Sequence, residues 1–264
     1  MSLARFFVDH IPDRGSVHLD ESESHHAARV LRVQVGDDCL VFDGQGYEGF
    51  GTIESLHKRE VSIRVSGKRF APRDHDGKLW FAIAMPKGDR QRSVIEKLVE
   101  LGVDRLLPIE SQRSVAKLDD DSLAKLHRYS LEACKQCQRN RLMQIDPPTT
   151  LRNLFTHLNA PSITDRWILH PGIEGATLSD FLKAHTPTRD SFSGHDTTMN
   201  PRASDCLKGI LFVVGPEGGF TAEEIEQSIL NGFKRLHLGE RILRVETAVA
   251  SAATLGSAAL GLGQ

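Results

Sequence analysis

The sequence predicts an α/β protein, with a parallel sheet flanked by helices and a small β-rich unit before it. From Lys78 onward, short apolar runs alternate with amphipathic segments, which is typical of repeated β-α units. Before Phe70, polar and apolar residues alternate with the period of half-buried strands. Residues 71–77 combine proline, glycine and charges, as linkers do. We therefore expect one domain at residues 1–71 and a second at 77–264.

In the first domain, the pattern predicts strands near residues 5–8, 38–43, 47–54 and 60–66, and a helix after Asp20. Such a unit could form a compact β-barrel. Residues 44–49 read G-x-G-x-x-G, the spacing of a dinucleotide-binding loop. That fingerprint requires a helix after the third glycine, whereas Phe50 and Ile53 continue a strand pattern. A hairpin turn is the better interpretation of these glycines.

Composition and charge limit the classes of function. Hydrophobic residues make up 39% of the chain, enough for a globular core, but no run of eighteen apolar residues predicts a membrane span. The N-terminus lacks the apolar segment of a signal peptide, so we expect a cytoplasmic protein. A net charge of −2 gives no global indication of nucleic-acid binding. Cys134-x-x-Cys137 has no second ligand pair, so no metal is expected.

The most informative stretch lies near the C-terminus. Residues 210–214 predict a buried strand, which opens into Gly215-Pro216-Glu217-Gly218-Gly219. Thr221 and Glu224 have the spacing of a capping box, so a helix should begin directly after Phe220. A second apolar run at 236–238 opens into Gly239 and then a helix of small residues, and a strand near 167–170 ends in Pro171-Gly172. Loops at the carboxyl ends of neighbouring parallel strands form ligand crevices.

The segments "FVVGPEGGFTAEE" and "LGERILRVETAVASA" resemble the C-terminal signature of the RsmE family of SPOUT methyltransferases. The resemblance implies a C-terminal trefoil knot, binding of S-adenosyl-L-methionine, and methylation of N3 of a uridine in 16S ribosomal RNA. It extends to "HHAARVLRVQVGD", which is similar to part of the family's PUA-like RNA-binding domain. Periodicity alone would not propose a knot, because knots are very rare.

The resemblance also implies a cofactor site and a catalytic pair. Arg244 could stabilise negative charge on the uracil oxygens, and Glu246 could act as the base or position Arg244. The alternative is a salt bridge between the two that braces the loop. The implied cofactor contacts are Leu169, His170, Gly172, Val214, Gly215, Pro216, Glu217, Gly218, Gly219, Leu238, Gly239, Ile242 and Leu243.

RNA contacts are expected from basic and amide side chains, each of which could instead be plain surface. The candidates are Arg29, Arg32, Lys87, Arg92, Arg113, Gln136, Arg139 and Arg141. Arg29 and Arg32 are three residues apart and should share a helical face. Residues 186–204 are polar and fit a disordered insertion. Partners implied by the resemblance are 16S ribosomal RNA in the small subunit and a second copy in a homodimer. Two alternatives remain open, a SPOUT methyltransferase for another RNA position and a non-catalytic RNA-binding or assembly protein.

Overall fold

The computed structural model describes residues 3–57, 60–75, 77–158, 160–172, 174–185 and 209–261. Contacts within the chain define two compact units, Met1–Asp74 with Ser130–Leu142, and His75–Tyr129 with Met143–Gln264. The N-terminal unit therefore includes a short segment from the middle of the chain, which a single boundary at the linker does not describe. The expected insertion at 186–204 lies outside the described residues.

The N-terminal unit is built on a five-stranded sheet in the order β1-β3-β4-β5-β2. The strands are β1 (Ala4–Phe7), β2 (Gly15–His18), β3 (Asp38–Phe42), β4 (Tyr47–Leu56) and β5 (Val61–Phe70). β1 pairs with β3 in parallel, and the other pairs are antiparallel. Alternate residues such as Phe6, Val41 and Ile63 are fully buried and form the core of this unit. Sequence patterning missed β2, a four-residue strand at the edge of the sheet.

The helix after Asp20 begins as predicted and then changes its geometry. Asp20 caps α1 (Glu21–His25) by accepting from the backbone N–H of Glu23 at 2.7 Å. The chain continues as a π-helical turn, His26–Leu31, and ends at Arg32 in left-handed conformation with φ 54°. The prediction that Arg29 and Arg32 share an α-helical face is wrong, because a π-helical turn does not follow the i,i+3 rule. Both side chains are exposed.

The glycines of residues 44–49 belong to a hairpin between β3 and β4, which confirms the turn interpretation. Gly44 and Gly46 have φ of 73° and 108°, a region that glycine adopts readily. The carboxylate of Asp43 accepts from the backbone N–H groups of Gln45 and Tyr47. The spacing therefore reflects a turn, with no helix start after the third glycine.

The second unit contains a seven-stranded parallel sheet in the order β12-β10-β11-β6-β7-β8, with β9 also paired to β7. The strands are β6 (Lys78–Ile83), β7 (Arg105–Glu110), β8 (Gln144–Ile145), β9 (Thr149–Thr150), β10 (Asp165–Leu169), β11 (Gly209–Val214) and β12 (Lys234–Leu236). All six residues of β11 are buried, as expected for the centre of a parallel sheet. The last strand ends at Leu236, so Leu238 belongs to the following loop.

Helices cover both faces of this sheet. They are α2 (Arg90–Glu100), α4 (Leu151–His157), α5 (Leu178–His185), α6 (Ala222–Leu230) and α7 (Val245–Ala259). A further helix, α3 (Asp120–Cys137), begins in this unit, and its residues from Ser130 onward belong to the N-terminal unit. α4 and α6 pack against one face with Leu211 and Val213. On the other face, a Cβ at Gly256 of α7 would lie 2.5 Å from Leu79 Cδ1, so the small residues of α7 allow close approach to the sheet. Within the described ranges, no helix is both long and apolar enough to cross a bilayer.

Candidate functional site

Three loops at the carboxyl ends of β10, β11 and β12 line one cleft in the second unit. These strands are adjacent and parallel, so their loops emerge at the same edge of the sheet. Every predicted cofactor contact except Gly172 lines the cleft, and Gly172 lies exposed just beyond Pro171. Six further residues line the cleft: Pro171 and Arg241 from the expected loops, and Phe220, Leu236, Val245 and Ala248 from outside them. Val245 and Ala248 are three apart on α7, a spacing that could have indicated a shared face.

The loop after β11 has a tight, defined shape. The backbone N–H of Gly219 donates to the carbonyl of Pro216 at 2.8 Å, and Gly219 has φ 67°. A Cβ at Gly215 would lie 3.0 Å from the ring of Phe220, which is buried. Thr221 and Glu224 form the predicted capping box at the start of α6. Local steric requirements therefore place glycines along this wall of the cleft.

Two arginines hold this loop from neighbouring parts of the second unit. Arg90, the first residue of α2, pairs with the Glu217 carboxylate at 2.6 Å. Arg113 donates from Nη1 to the carbonyl of Gly218 at 2.8 Å. Arg113 was expected to contact RNA, whereas its guanidinium here contacts the glycine loop. Arg90 and Arg113 together brace the glycine loop. Their spacing in the sequence gives no indication of these contacts.

The expected catalytic pair lies where the loop after β12 leads into α7. Gly239 has φ 108°, and a Cβ there would meet nothing within 4 Å. Ile242 lines the cleft, yet it is 85% exposed. An apolar side chain therefore lies at the opening of the cleft. Arg244 is the N-cap residue of α7 with an exposed side chain.

Glu246 lies in the first turn of α7. Its Oε2 is buried and has no hydrogen-bond partner in the described part of the chain. Among the ion pairs of the described residues, none joins Glu246 to Arg244. The structure therefore does not contain the alternative, a salt bridge between Arg244 and Glu246 that braces the loop. The side chain of Arg244 is exposed, whereas the unpartnered Oε2 of Glu246 is buried.

His170 follows β10 and supplies a polar side chain to a largely aliphatic wall. Burial, and secondarily the charge of Arg235, hold the pKa of His170 below its ordinary value of 6.5, although Glu174 opposes this. The imidazole is therefore neutral at pH 7. Its Nδ1 is buried, and no described residue forms a hydrogen bond with it. A buried polar atom without a partner costs free energy unless a ligand supplies one.

The remaining expected RNA residues of the second unit are on the surface. Lys87 is exposed in the loop after β6. Arg92 is exposed on α2, where it pairs with Glu96 at 2.8 Å and lies 5.7 Å from the ring of Tyr129. These positions permit contact with a polyanion.

In the N-terminal unit, Gln136 is exposed, but Arg139 is only 4% exposed and pairs with Asp74 at 2.7 Å. Arg139 is therefore not positioned for the expected RNA contact, because a buried, ion-paired guanidinium does not reach a phosphate. Arg141 is half-buried, 3.5 Å from the same carboxylate. Lys135 is paired with Glu23 and Glu132.

Cys134, the buried member of the cysteine pair, has an unreactive thiol. Burial raises the pKa of the Cys134 thiol to about 12, so it stays protonated at neutral pH. Its Sγ donates to the carbonyl of Arg141 at 3.7 Å. In the part of the chain that the structure describes, no group of three His, Cys, Asp or Glu residues could hold a metal ion.

A parallel sheet with a cleft across adjacent strand ends, lined by glycines and aliphatic side chains, defines an α/β protein that binds a small organic ligand. A family model described as an RNA methyltransferase domain matches residues 73–257, and a model described as an RNA methyltransferase PUA domain matches residues 19–66. The chain belongs to this RNA methyltransferase family, with a PUA-like domain at its N-terminus.

Individual proteins agree with the family assignment. Ribosomal RNA small subunit methyltransferase E of Bacillus subtilis is 28% identical over 93% of both chains. A methyltransferase from Legionella pneumophila with bound SAM is 28% identical, with a TM-score of 0.83 over 98% of both chains. Ribosomal RNA small subunit methyltransferase E of Neisseria gonorrhoeae, bound to S-adenosyl methionine, is 26% identical, with a TM-score of 0.80 over 96% of this chain and 95% of that one.

Proposed function

We propose that this protein is an S-adenosyl-L-methionine-dependent methyltransferase that methylates N3 of a uridine in 16S ribosomal RNA. The carrying observation is the cleft formed by the loops after β10, β11 and β12. Relatives that match over nearly their whole length are named for small-subunit ribosomal RNA methylation, and two similar structures hold the methyl donor. Non-catalytic RNA binding alone would give no reason for such a cleft.

The residues of the cleft suit the methyl donor. Gly219 and Gly239 both have positive φ, and neither position has an atom within 4 Å of where a Cβ would lie, so backbone groups are accessible to a ligand. Leu238, Leu243 and Ile242 offer apolar surface for a purine, and His170 Nδ1 offers a polar contact. When bound, S-adenosylmethionine supplies a methyl group on an electrophilic sulfonium.

Arg244 and Glu246 are assigned the chemical roles. Uridine N3 carries a proton at neutral pH and becomes a good nucleophile only when that proton is removed. Glu246 has a carboxylate oxygen without a described partner and could accept the proton, either directly or through water. The exposed guanidinium of Arg244 could stabilise the negative charge that develops on the uracil oxygens.

Several finer assignments accompany this proposal. Residues 1–71 would serve RNA binding and residues 77–264 would form the SPOUT domain, with the C-terminal trefoil knot of the resembled family. Arg29, Arg32, Lys87, Arg92, Gln136 and Arg141 would contact RNA, and each is at least partly exposed. The protein would act as a cytoplasmic homodimer on the small ribosomal subunit.

The decisive experiment uses small subunits from a strain that lacks this protein. Purified protein and labelled S-adenosylmethionine are added, and the modified nucleotide is mapped by reverse transcription, which an N3-methylated uridine blocks. One stop at a single uridine of 16S RNA, dependent on the methyl donor, is expected. A label on ribose or on another base would favour a methyltransferase for a different position. Absence of incorporation would refute the proposal.

A further inference from the structure

The N-terminal unit contains a buried carboxylate with more cations around it than it can neutralise. Glu48 of β4 is 0% exposed. Its oxygens lie 2.6 Å from Arg69 Nη2, 3.0 Å from Arg73 Nη2 and 3.5 Å from Arg5 Nη1. Asn140 Nδ2 also donates to it at 3.0 Å. We call these five residues the Glu48 cluster.

The cluster carries a net positive charge. Burial alone would raise the pKa of Glu48, but hydrogen bonds from Asn140 and Arg69 and the charges of Arg73 and Arg69 hold that pKa below its ordinary value. One carboxylate charge against three guanidinium charges leaves +2. In the described part of the chain, the ion pairs of Arg5, Arg69 and Arg73 all end on Glu48. Asp74 does not offset the excess, because its carboxylate is already paired with Arg139 and Arg141.

Holding surplus charge in a partly buried cluster costs free energy. Burial and the charge of Arg73 lower the pKa of Arg5, although Glu48 opposes this. Nε and Nη1 of Arg5 are buried without a hydrogen-bond partner among the described residues. An anion bound at the outer side of the cluster would offset the surplus positive charge and so reduce its free-energy cost.

The outer side of the cluster is accessible and lies beside an exposed aromatic ring. The side chains of Arg69 and Arg73 are 58% and 38% exposed. Phe50 is 44% exposed, and Arg69 Cζ lies 5.2 Å from the centre of its ring. Glu48 and Phe50 are two apart on β4, and Arg69 is opposite Glu48, so the three share one face of the hairpin.

We propose that Phe50, Arg69 and Arg73 bind one unpaired nucleotide of RNA, with its phosphodiester group on the two guanidiniums and its base on the Phe50 ring. This inference rests on the proposed action on RNA. A charged groove with an aromatic stacking surface is the general solution for single-stranded nucleic acid. Paired bases do not expose their faces, so the site selects unpaired RNA. These residues hold substrate and take no part in methyl transfer.

The test uses the full-length protein and a fluorescein-labelled single-stranded RNA, with affinity measured by fluorescence anisotropy over a range of salt concentrations. Phe50→Ala should weaken binding on the order of tenfold with an unchanged salt dependence, because stacking carries no charge. Arg69→Ala should weaken binding and reduce the slope of log affinity against log salt by about 0.7, the value for one lost phosphate contact on a single strand. The same RNA annealed as a duplex should show no effect of Phe50→Ala.

Two matched controls come from the same hairpin. Phe70 is 57% exposed but pairs with Tyr47 on the opposite face, so Phe70→Ala should bind as the wild type does. Arg64 is also on β5, but it forms a balanced one-to-one pair with Glu54, so Arg64→Ala should change affinity by less than about twofold. Melting curves check the fold, and Phe50→Ala leaves all ion pairs of the cluster in place.

Three results would overturn the inference: Phe50→Ala and Arg69→Ala binding no worse than their controls, an equal loss for duplex RNA, or no binding of RNA by the wild type. Methylation of small subunits by the wild type is measured alongside. If the subunits are methylated but Phe50→Ala binds RNA as the wild type does, the proposed function stands and only this RNA site is refuted. If the subunits are not methylated but Phe50→Ala still weakens RNA binding, the enzyme assignment is refuted and the RNA site stands.

Discussion

The loop cleft of the second unit and the Glu48 cluster of the N-terminal unit are formed by different kinds of chemical group. The cleft consists of backbone, glycine and aliphatic side chains from short loops, and its shape follows from local conformations such as φ 67° at Gly219. The Glu48 cluster consists of charged side chains far apart in sequence, and the hydrogen bond between Arg5 and Asn140 spans 135 residues. Local turns can be recognised in a sequence, whereas long-range ion pairs cannot.

The largest effect is expected at Arg244, which lies in sequence between the cleft-lining residues Leu243 and Val245. Replacing Arg244 by alanine should lower kcat by on the order of 100-fold or more, as loss of one charge-stabilising donor does, and leave the Kd for S-adenosylmethionine unchanged. Single-turnover methylation and calorimetry measure the two quantities. Arg244→Lys serves as the matched variant that keeps the charge and should retain part of the activity. Normal turnover by Arg244→Ala would remove this residue from the mechanism.

Loss of the carboxylate charge in the Glu48 cluster should lower the free energy of unfolding. Glu48→Gln keeps the side-chain shape but leaves three guanidiniums without an anion, which should cost about 3 kcal/mol of unfolding free energy. Urea unfolding followed by circular dichroism measures this. Glu54→Gln is the control, because Glu54 pairs with one exposed arginine at the surface, and its midpoint should move little. Identical midpoints for the two variants would mean that the cluster contributes nothing to folding.

A smaller effect on stability is expected at the start of β10. The hydrogen bond from His185, followed by contacts with Lys234, lowers the pKa of Asp165 from 3.8 to about 2 despite burial. The folded-state pKa lies below the unfolded one, so this carboxylate stabilises the fold above about pH 4 and the contribution is lost as pH falls toward 2. The loss should be about 2 kcal/mol, measured as the urea midpoint against pH. Asp165→Asn should lack it, and parallel curves for the two proteins would contradict the assignment.

The smallest effect concerns the brace of the glycine loop. Arg113→Ala removes the hydrogen bond to the Gly218 carbonyl and should raise the Kd for S-adenosylmethionine about fivefold, since an exposed charged hydrogen bond contributes about 1 kcal/mol. Lys117→Ala removes an exposed charge from the same connection and should not change this Kd. If both variants bind the donor equally well, Arg113 does not order the loop.

Features set by neighbouring residues could be predicted from the sequence, and features set by distant residues could not. The capping box of Thr221 and Glu224 and the glycine loop before it are local, and both were predicted. Leu238 reads as part of a strand, but pairing of β12 with β10 ends at Leu236, so tertiary register decided that boundary. The short helix α4 follows two prolines and has too few residues for a clear period. Arg139 could not be assigned from its neighbours, because its partner Asp74 is 65 residues away.

Binding of the methyl donor by the glycine loops of the cleft can be tested by one calorimetric titration with S-adenosylmethionine. Gly219 and Gly232 both have positive φ with nothing within 4 Å of a Cβ, but only Gly219 lines the cleft. Valine at either position imposes similar backbone strain. The wild type and Gly232→Val should bind the donor with the same Kd, and Gly219→Val should bind it at least about tenfold more weakly. A wild type that does not bind the donor, or a Gly219→Val variant with an unchanged Kd, would show that this loop does not form the donor site.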